Sequence, residues 1–458
     1  MQDMLLQSGI SMTEGNITKQ LVRFSLPIIA ANLLQQIYTV IDTAVVGQFL
    51  GRDALAAIGS VGSLIFLIVG ILVGLGNGVG IVSAQYFGAK DYDALKKTIH
   101  TAVLVSMIAG ATMAVVGNLV FPLFMDILGF PPNVARLAEQ YLRIYFIGVL
   151  PMLLYNVSIG MIRAMGDSRR PMYYLLVSGL LNILLNLGFV LVFEWGMLGI
   201  ALSTVISQTL AAALALRRLR QIDERCCLRF RKLSIDRVVL TRFVRIGLPL
   251  GVQTLFFALP NLYIQAHINR FGAVAMAGVA AYFQVYGFLY MIAAGLSMAT
   301  VTFVGQNAGA GNVGRIREGA KKALKLSLVA AVITSIFFAV FAGQILRIFT
   351  SDVDAISYGV RLMWMITPVF FLFATSEILS GVMRGVGKTT QVMLITGFCL
   401  GGARVLWLFF STQVSSSIDV VFLTFPVGWV VLCIGSVLYF CFGRWSRHIG
   451  KTEALEKD

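Results

Sequence analysis

Long stretches without Asp, Glu, Lys or Arg dominate the chain. They cover 24–41, 54–89, 98–125, 144–162, 171–193, 195–216, 246–269, 271–314, 326–346, 362–376, 389–403, 405–418 and 420–443. A helix needs ~20 mostly apolar residues to cross a bilayer, and most of these runs are that long. The three shorter runs between 362 and 418 are broken only by Glu377 and Arg404. Joined across those charges they give two helices, at 361–383 and 391–411 by this reading, and twelve spans in all. The long runs 54–89 and 271–314 each hold one helix and a glycine-rich polar end. Barrel strands are excluded, because they would be ~10 residues of alternating polarity.

Composition agrees. The chain has 458 residues, of which 12% are charged, against about a quarter in soluble domains. Mean hydropathy is +0.85. Twelve spans use ~240 residues and leave short loops but no large soluble domain. These figures argue against a soluble enzyme, a disordered protein or a secreted disulfide scaffold. The five cysteines, Cys226, Cys227, Cys399, Cys433 and Cys441, show no metal-ligand spacing. The first twenty residues are polar without a basic-then-apolar signal pattern, so the first apolar helix is expected to be retained.

Charge then orients the spans. There are 36 basic and 21 acidic residues, net +15. Sorted by alternate sides, 29 Lys and Arg fall with the N-terminus, six fall opposite and Arg404 lies within a span. Basic residues stay cytoplasmic, so a multi-pass protein of the plasma (inner) membrane with both termini cytoplasmic is expected. The ten basic residues of 217–245 read as a linker facing anionic lipid, not as a nucleic-acid surface.

The pattern also repeats. Leu21–Pro27 resembles Phe243–Pro249. At a constant offset of 221 come Ala54/Ala275, Gly74/Gly295, Gln85/Gln306, Gly88/Gly309, Ser106/Ser327, Gly160/Gly381, Arg163/Arg384 and Gly166/Gly387. Six spans per half is an even number, so both halves enter the membrane in the same direction. The expected fold is all-α and integral to the membrane, with two six-helix lobes related by a pseudo-two-fold axis along the membrane normal. The expected segments are a cytoplasmic start (1–20), a first lobe (21–216), a basic linker (217–242), a second lobe (243–443) and a cytoplasmic tail (444–458).

Polar residues inside the spans are the functional candidates, since a carboxylate there costs about 2.5–3.5 kcal/mol to insert. Asp42 lies in the first span, with Gln35 and Tyr38 (or Thr39) at helical spacing on one stripe. It can exchange a proton, or hold Na⁺ if neighbours supply oxygens; otherwise it simply reaches water at the helix end. Asn182 and Asn186 share a face of the fifth span, Asn156 lies in the fourth and Thr204 in the sixth. In the second half, Glu377 and Arg404 could pair with each other or contact substrate. Gln253, Asn261 and Gln265 mark the seventh span, which also carries Pro249 and Pro260, and Gln284 marks the eighth. Asn, Gln, Ser and Thr also serve simply to bond helix to helix.

Other signals fail as chemistry. Gly385-Val-Gly-Lys-Thr-Thr390 ends like a phosphate loop, but the first glycine of that motif would fall on Val382 and no strand precedes it. The only histidines, His100, His267 and His448, join no nucleophile or metal cluster. No catalytic activity, cofactor or certain metal is expected, and energy must come from an ion gradient.

These residues carry a resemblance. Pro27, Asn32-Leu-Leu-Gln-Gln-Ile-Tyr38 and Val40-Ile-Asp42-Thr come first. Gly51-Arg-Asp-Ala-Leu-Ala-Ala57, Ser83-Ala-Gln-Tyr-Phe-Gly-Ala-Lys90 and Arg163-Ala-Met-Gly-Asp-Ser168 follow. Phe303-Val-Gly-Gln-Asn-Ala-Gly-Ala310 and Met383-Arg-Gly-Val-Gly387 complete the set. Over about residues 15–445 the chain resembles the multidrug and toxic compound extrusion (MATE) transporters, nearest to their bacterial DinF-like branch. The resemblance implies a twelve-helix antiporter that exchanges H⁺ or Na⁺ for organic cations by alternating access. It implies an ion-coupling site on Asp42 with Asn156, Asn182, Asn186 and Thr204. Substrate or cavity roles fall to Gln35, Tyr38, Gln253, Asn261, Gln265, Gln284, Glu377 and Arg404. One departure is visible: members often carry Asp where this chain has Asn186, which removes a charge and weakens the case both for a high-affinity Na⁺ site and for a two-carboxylate proton relay. The expected partners are small organic cations and the lipid bilayer, with the protein a monomer. A flippase for lipid-linked precursors and a non-transporting membrane protein are the alternatives. The first would need several in-span bases, and Arg404 is the one found.

Overall fold

A computed structural model describes residues 11–128, 132–415, 417–446 and 449. Residues 1–10 of the expected leading segment, and most of 444–458 with His448, lie outside the described residues. Among those described, every regular element is helical, and twelve helices are long and apolar enough to cross a membrane. They are α1 (Ile17–Leu50), α2 (Ile65–Gly88), α3 (Tyr92–Phe121), α4 (Val134–Ala164), α5 (Arg169–Val192) and α6 (Gly196–Arg220). The second half gives α7 (Arg237–Phe271), α8 (Ala273–Gly309), α9 (Val313–Val340), α10 (Val353–Gly385), α11 (Thr389–Val414) and α12 (Ile418–Phe442). The twelve spans expected from the charge-free runs are all present.

The helix ends follow from local chemistry. Asn312 accepts from the Arg315 N–H at 3.1 Å and opens α9, and Asp352 accepts from the Asp354 N–H at 2.9 Å and opens α10. Such caps satisfy donors that the helix cannot. Arg217, Arg218 and Arg220 close α6, where the helix dipole favours cations. Pro368 explains the 3-10 turn at Thr367–Val369 within α10, since proline lacks the N–H that an unbroken helix needs. The stretch Thr396–Gly402 makes a π-helical segment within α11. By contrast α7 runs on through Pro249 and Pro260.

Contacts divide the chain into two compact units, residues 30–251 in the first and residues 12–29 with 252 onward in the second. α1 and α7 therefore each begin among the contacts of one unit and continue in those of the other. Glycine makes part of this possible. A Cβ on Gly74 would lie 2.3 Å from the Gly251 nitrogen, so α2 and the start of α7 meet backbone to backbone. Inside the first unit α2 and α4 cross as closely, where a Cβ on Gly160 would lie 2.5 Å from the Gly76 carbonyl. The second unit repeats this crossing between α8 and α10, where a Cβ on Gly381 would lie 3.0 Å from the Ser297 carbonyl. Small residues at a crossing let helices approach in a medium where burying apolar surface gives no drive.

The second unit has an aromatic core. Tyr282, Phe370, Phe373, Phe422 and Trp429 are all at most 2% exposed and pack with Leu289, Leu362 and Ile366.

Candidate coupling and substrate sites

The first unit builds its polar centre from α1, α5 and α6. Asp42 is half-buried on α1. The Asn186 amide donates to its Oδ1 at 2.6 Å. Asn182, one turn earlier on α5, stands beside both. With its carbonyl toward Asn186 it accepts from that amide at 3.2 Å. With the amide turned over, its nitrogen donates to the two Asp42 oxygens at 2.9 and 3.2 Å. Ser203 on α6 donates to the Asn186 carbonyl, so Asn186 is held at both ends of its amide. Asn182, Asn186 and Ser203 are each at most 3% exposed. No basic side chain pairs with Asp42 among the described residues.

A small cavity opens beside this centre, lined by Tyr38, Ser178, Asn182, Thr204, Ser207 and Gln208, with room for about one water-sized occupant. Thr204 therefore reaches the cavity, although its hydroxyl donates to the Ile200 carbonyl at 3.1 Å. Two expected members are placed differently. Asn156 donates to its own helix at Met152 O, 2.8 Å, and its backbone takes part in the crossing with Gly76. Gln35 is exposed, and its carbonyl accepts from Thr39 at 2.9 Å.

The second unit is organised by bases. Glu377 does not pair with Arg404, correcting that expectation. Its Oε2 lies 3.5 Å from Nη1 of Arg384, seven residues on along the same helix. Both side chains are largely buried, 9% and 18% exposed. Arg384 also reaches the Gln253 carbonyl oxygen at 3.4 Å, and Gln253 donates to Thr396 at 2.7 Å. Ser297 donates to the Glu377 backbone carbonyl at 2.8 Å. These bonds tie α7, α8, α10 and α11 around one ion pair. Arg404 instead donates to Asn261 at 3.4 Å and stands over the Phe425 ring at 5.0 Å. Gln265 bonds to Asn269 at 2.8 Å, and Gln284 is exposed.

Sequence reasoning missed Ser203 and Arg384. Ser203 sits one residue before the chosen Thr204, a rotation that hydropathy does not resolve. Arg384 had a readable signal: it lies two helical turns after Glu377 and so shares its face. It was assigned to the cytoplasmic turn instead.

Outside the spans, the linker is fastened to the first unit. Thr101 donates to Ser234 O and accepts from the Asp236 N–H, at 3.2 and 3.0 Å. The backbone N–H of Val239, with Lys97 nearby, holds the Asp236 carboxyl below its ordinary range. Burial pushes the Cys226 thiol up to about 12.

Twelve span-length helices, with an acid held inside the first unit by neutral donors, define a polytopic membrane protein equipped to carry solutes. The family model for MatE matches the chain twice, at 27–188 and 249–409. The chain belongs to the MatE family of membrane transporters, and the two matches coincide with the internal repeat. It is similar to "Probable multidrug resistance protein YoeA" of Bacillus subtilis, 28% identical over 402 residues and 86% of each chain. It is also similar to "Probable multidrug resistance protein YpnP" of the same organism, 26% identical over 437 residues, 94% of this chain and 97% of that one. Its fold is that of a solved multidrug resistance MATE family transporter of the MOP superfamily in an outward-facing conformation. That match has a TM-score of 0.88 at 21% identity, covering 98% of this chain and 99% of that one.

Proposed function

We propose that this protein is a proton-coupled antiporter that exports small organic cations, with Asp42 as the coupling acid. One observation carries the reading: Asp42 is held by the Asn186 amide and pairs with no base among the described residues. An acid held by neutral donors can change charge without leaving a buried cation unpaired, whereas Glu377 cannot. The carboxylate open to an organic cation is then Asp42 as well. Proton and substrate compete for it, and by linkage ligands that disfavour each other's binding can be exchanged. Alternating access of the two lobes delivers each to its own side.

The Asn186 donor supports H⁺ over Na⁺. A Na⁺ ion needs oxygens, and in this geometry the Asn186 donor already occupies Asp42 Oδ1. In this reading the protein works as a monomer in the plasma membrane with both termini cytoplasmic, as the 29-to-six asymmetry of basic residues supports.

The test is transport of a fluorescent organic cation in proteoliposomes under independently imposed H⁺ and Na⁺ gradients. Efflux is expected to follow the H⁺ gradient. Asp42→Asn is expected to fold, as judged by size-exclusion behaviour, and to lose at least about 100-fold in coupled rate, or ~2.7 kcal/mol. Wild-type efflux by Asp42→Asn removes the proposal, and efflux driven by Na⁺ alone removes the choice of ion.

A further inference from the structure

Among the described residues, the second unit buries one arginine, Arg404, without a carboxylate partner. Arg404 is 5% exposed. Among the described residues its hydrogen-bond partner is a single amide oxygen, that of Asn261. Glu377 is committed to Arg384. The face of the Phe425 ring lies beneath Arg404, 5.0 Å from the guanidinium carbon. Removing a cation from water without a counter-charge costs several kcal/mol.

The surroundings of Arg404 add groups able to donate. Four polar atoms of this unit have no partner among the described residues: Arg404 Nε, Trp429 Nε1, the Tyr282 hydroxyl and the Thr424 hydroxyl. Trp429, Tyr282 and Thr424 are at most 1% exposed. The guanidinium and the indole can only donate, and each hydroxyl can. Thr424, Phe425, Gly428 and Trp429 fall on one face of α12 by helical spacing. A Cβ on Gly428 would lie 2.8 Å from Arg404 Nε, so the missing side chain makes the notch in which the arginine sits. Tyr282, Tyr286 and Trp429 stack in a column, with centroids 6.1 and 6.0 Å apart.

We propose that Arg404, Trp429 and Tyr282 form a binding site for a small monoanion, either a halide or the carboxylate of an aromatic compound. A fixed positive charge, unpartnered donors and aromatic neighbours all favour an anionic acceptor. A cation finds no free carboxylate there. The guanidinium offers the geometry for a carboxylate, and the ring column offers faces for an attached aromatic group. The site lies in the other unit from Asp42. Its test reads binding, not transport, so it stands or falls separately from the coupling reading.

The purified full-length protein in nanodiscs, in gluconate at constant ionic strength, is titrated with chloride and separately with benzoate. The thermal unfolding midpoint is followed. A saturable rise with either anion is expected. Saturation by chloride assigns the site to a halide, and tighter saturation by benzoate assigns it to an aromatic carboxylate. Arg404→Gln is expected to raise the half-saturating concentration about 30-fold, the range for a hydrogen bond to a charged group. Tyr282→Phe and Trp429→Phe keep the ring volume and remove one donor each, so the site remains testable if Arg404→Gln is not recovered. Each is expected to raise half-saturation about threefold. Two results overturn the proposal: no saturation by either anion, or half-saturation unchanged in the recovered variants.

Discussion

Asp42 in the first unit and Glu377 in the second are both carboxylates within apolar helices, yet they are held by opposite means. Asp42 receives an amide of Asn186 at 2.6 Å and no base. Glu377 faces Arg384 at 3.5 Å, and Arg384 in turn leans on Gln253. The internal repeat makes the contrast sharper. At the offset of 221, Arg163 corresponds to Arg384, and Asn156 corresponds to Glu377. Both halves thus keep the base at this position, and only the second keeps the acid beside it. The first half carries its acid on α1. Losing a neutral hydrogen bond costs about 1 kcal/mol, whereas removing one member of a buried pair costs about 3–5 kcal/mol. On the proposed reading the first arrangement changes charge during a cycle and the second serves as a strut.

The contrast can be broken most strongly at the strut. Arg384→Ala leaves Glu377 buried alone and is expected to lower stability by about 3 kcal/mol. The double variant with Glu377→Gln should recover most of it, and thermal unfolding in detergent reads both. A loss no larger than that of Asn186→Ala would show that the two units hold their acids alike. Next comes the repeated helix crossing. Gly160→Ala meets a carbonyl at 2.5 Å, and Gly381→Ala meets one at 3.0 Å. Overpacking costs about 1–3 kcal/mol, and Gly160→Ala should be the costlier of the two by the same unfolding measurement.

A smaller effect sharpens the chemistry of the first unit. Asn186→Asp places a second carboxylate against Asp42, so the two must share a proton or bind a cation between them. Efflux in proteoliposomes should then gain a Na⁺ response of about tenfold, corresponding to ~1.4 kcal/mol of added cation affinity. Unchanged ion dependence would move the coupling site away from this pair.

The smallest effect concerns how the linker is fastened. Asp236 accepts from the N–H groups of Val238 and Val239, both at 3.1 Å, and so caps α7. Its folded-state pKa is depressed. Its contribution is therefore complete above the unfolded value of about 3.9 and is lost as pH falls through the folded value. Asp236→Ala should cost about 1 kcal/mol at neutral pH and little at strongly acidic pH. Hydrogen exchange across 236–242 measures it; equal exchange in both proteins at neutral pH would remove the cap.

Much of the first site was legible because helical spacing is local. Asn182 and Asn186 are four apart, and Tyr38 and Asp42 are four apart, so each pair shares a face in any straight helix. Their meeting was not legible, because Asn186 and Asp42 are 144 residues apart and no periodic signal spans that distance. Asn156 looked equivalent to the other amides by composition, but rotation about α4 turns its amide back to Met152. The expectation for Glu377 failed differently. The expected partner lies on the neighbouring span, while the base that pairs stands two turns along the same helix.

By itself the sequence determined the helical membrane class, the twelve spans, the duplication and the candidacy of Asp42. Each of these depends on charge-free run length or on a repeated offset along one strand of chain. The tertiary structure decided which partner each buried charge takes: neutral amides for Asp42, Arg384 for Glu377, and a ring face with a single amide oxygen for Arg404. The reason is physical. Crossing a membrane is governed by the summed transfer energy of a segment. Pairing is governed by how neighbouring helices are rotated and how closely they approach, which here turns on glycines such as Gly160 and Gly428 meeting atoms far away in sequence.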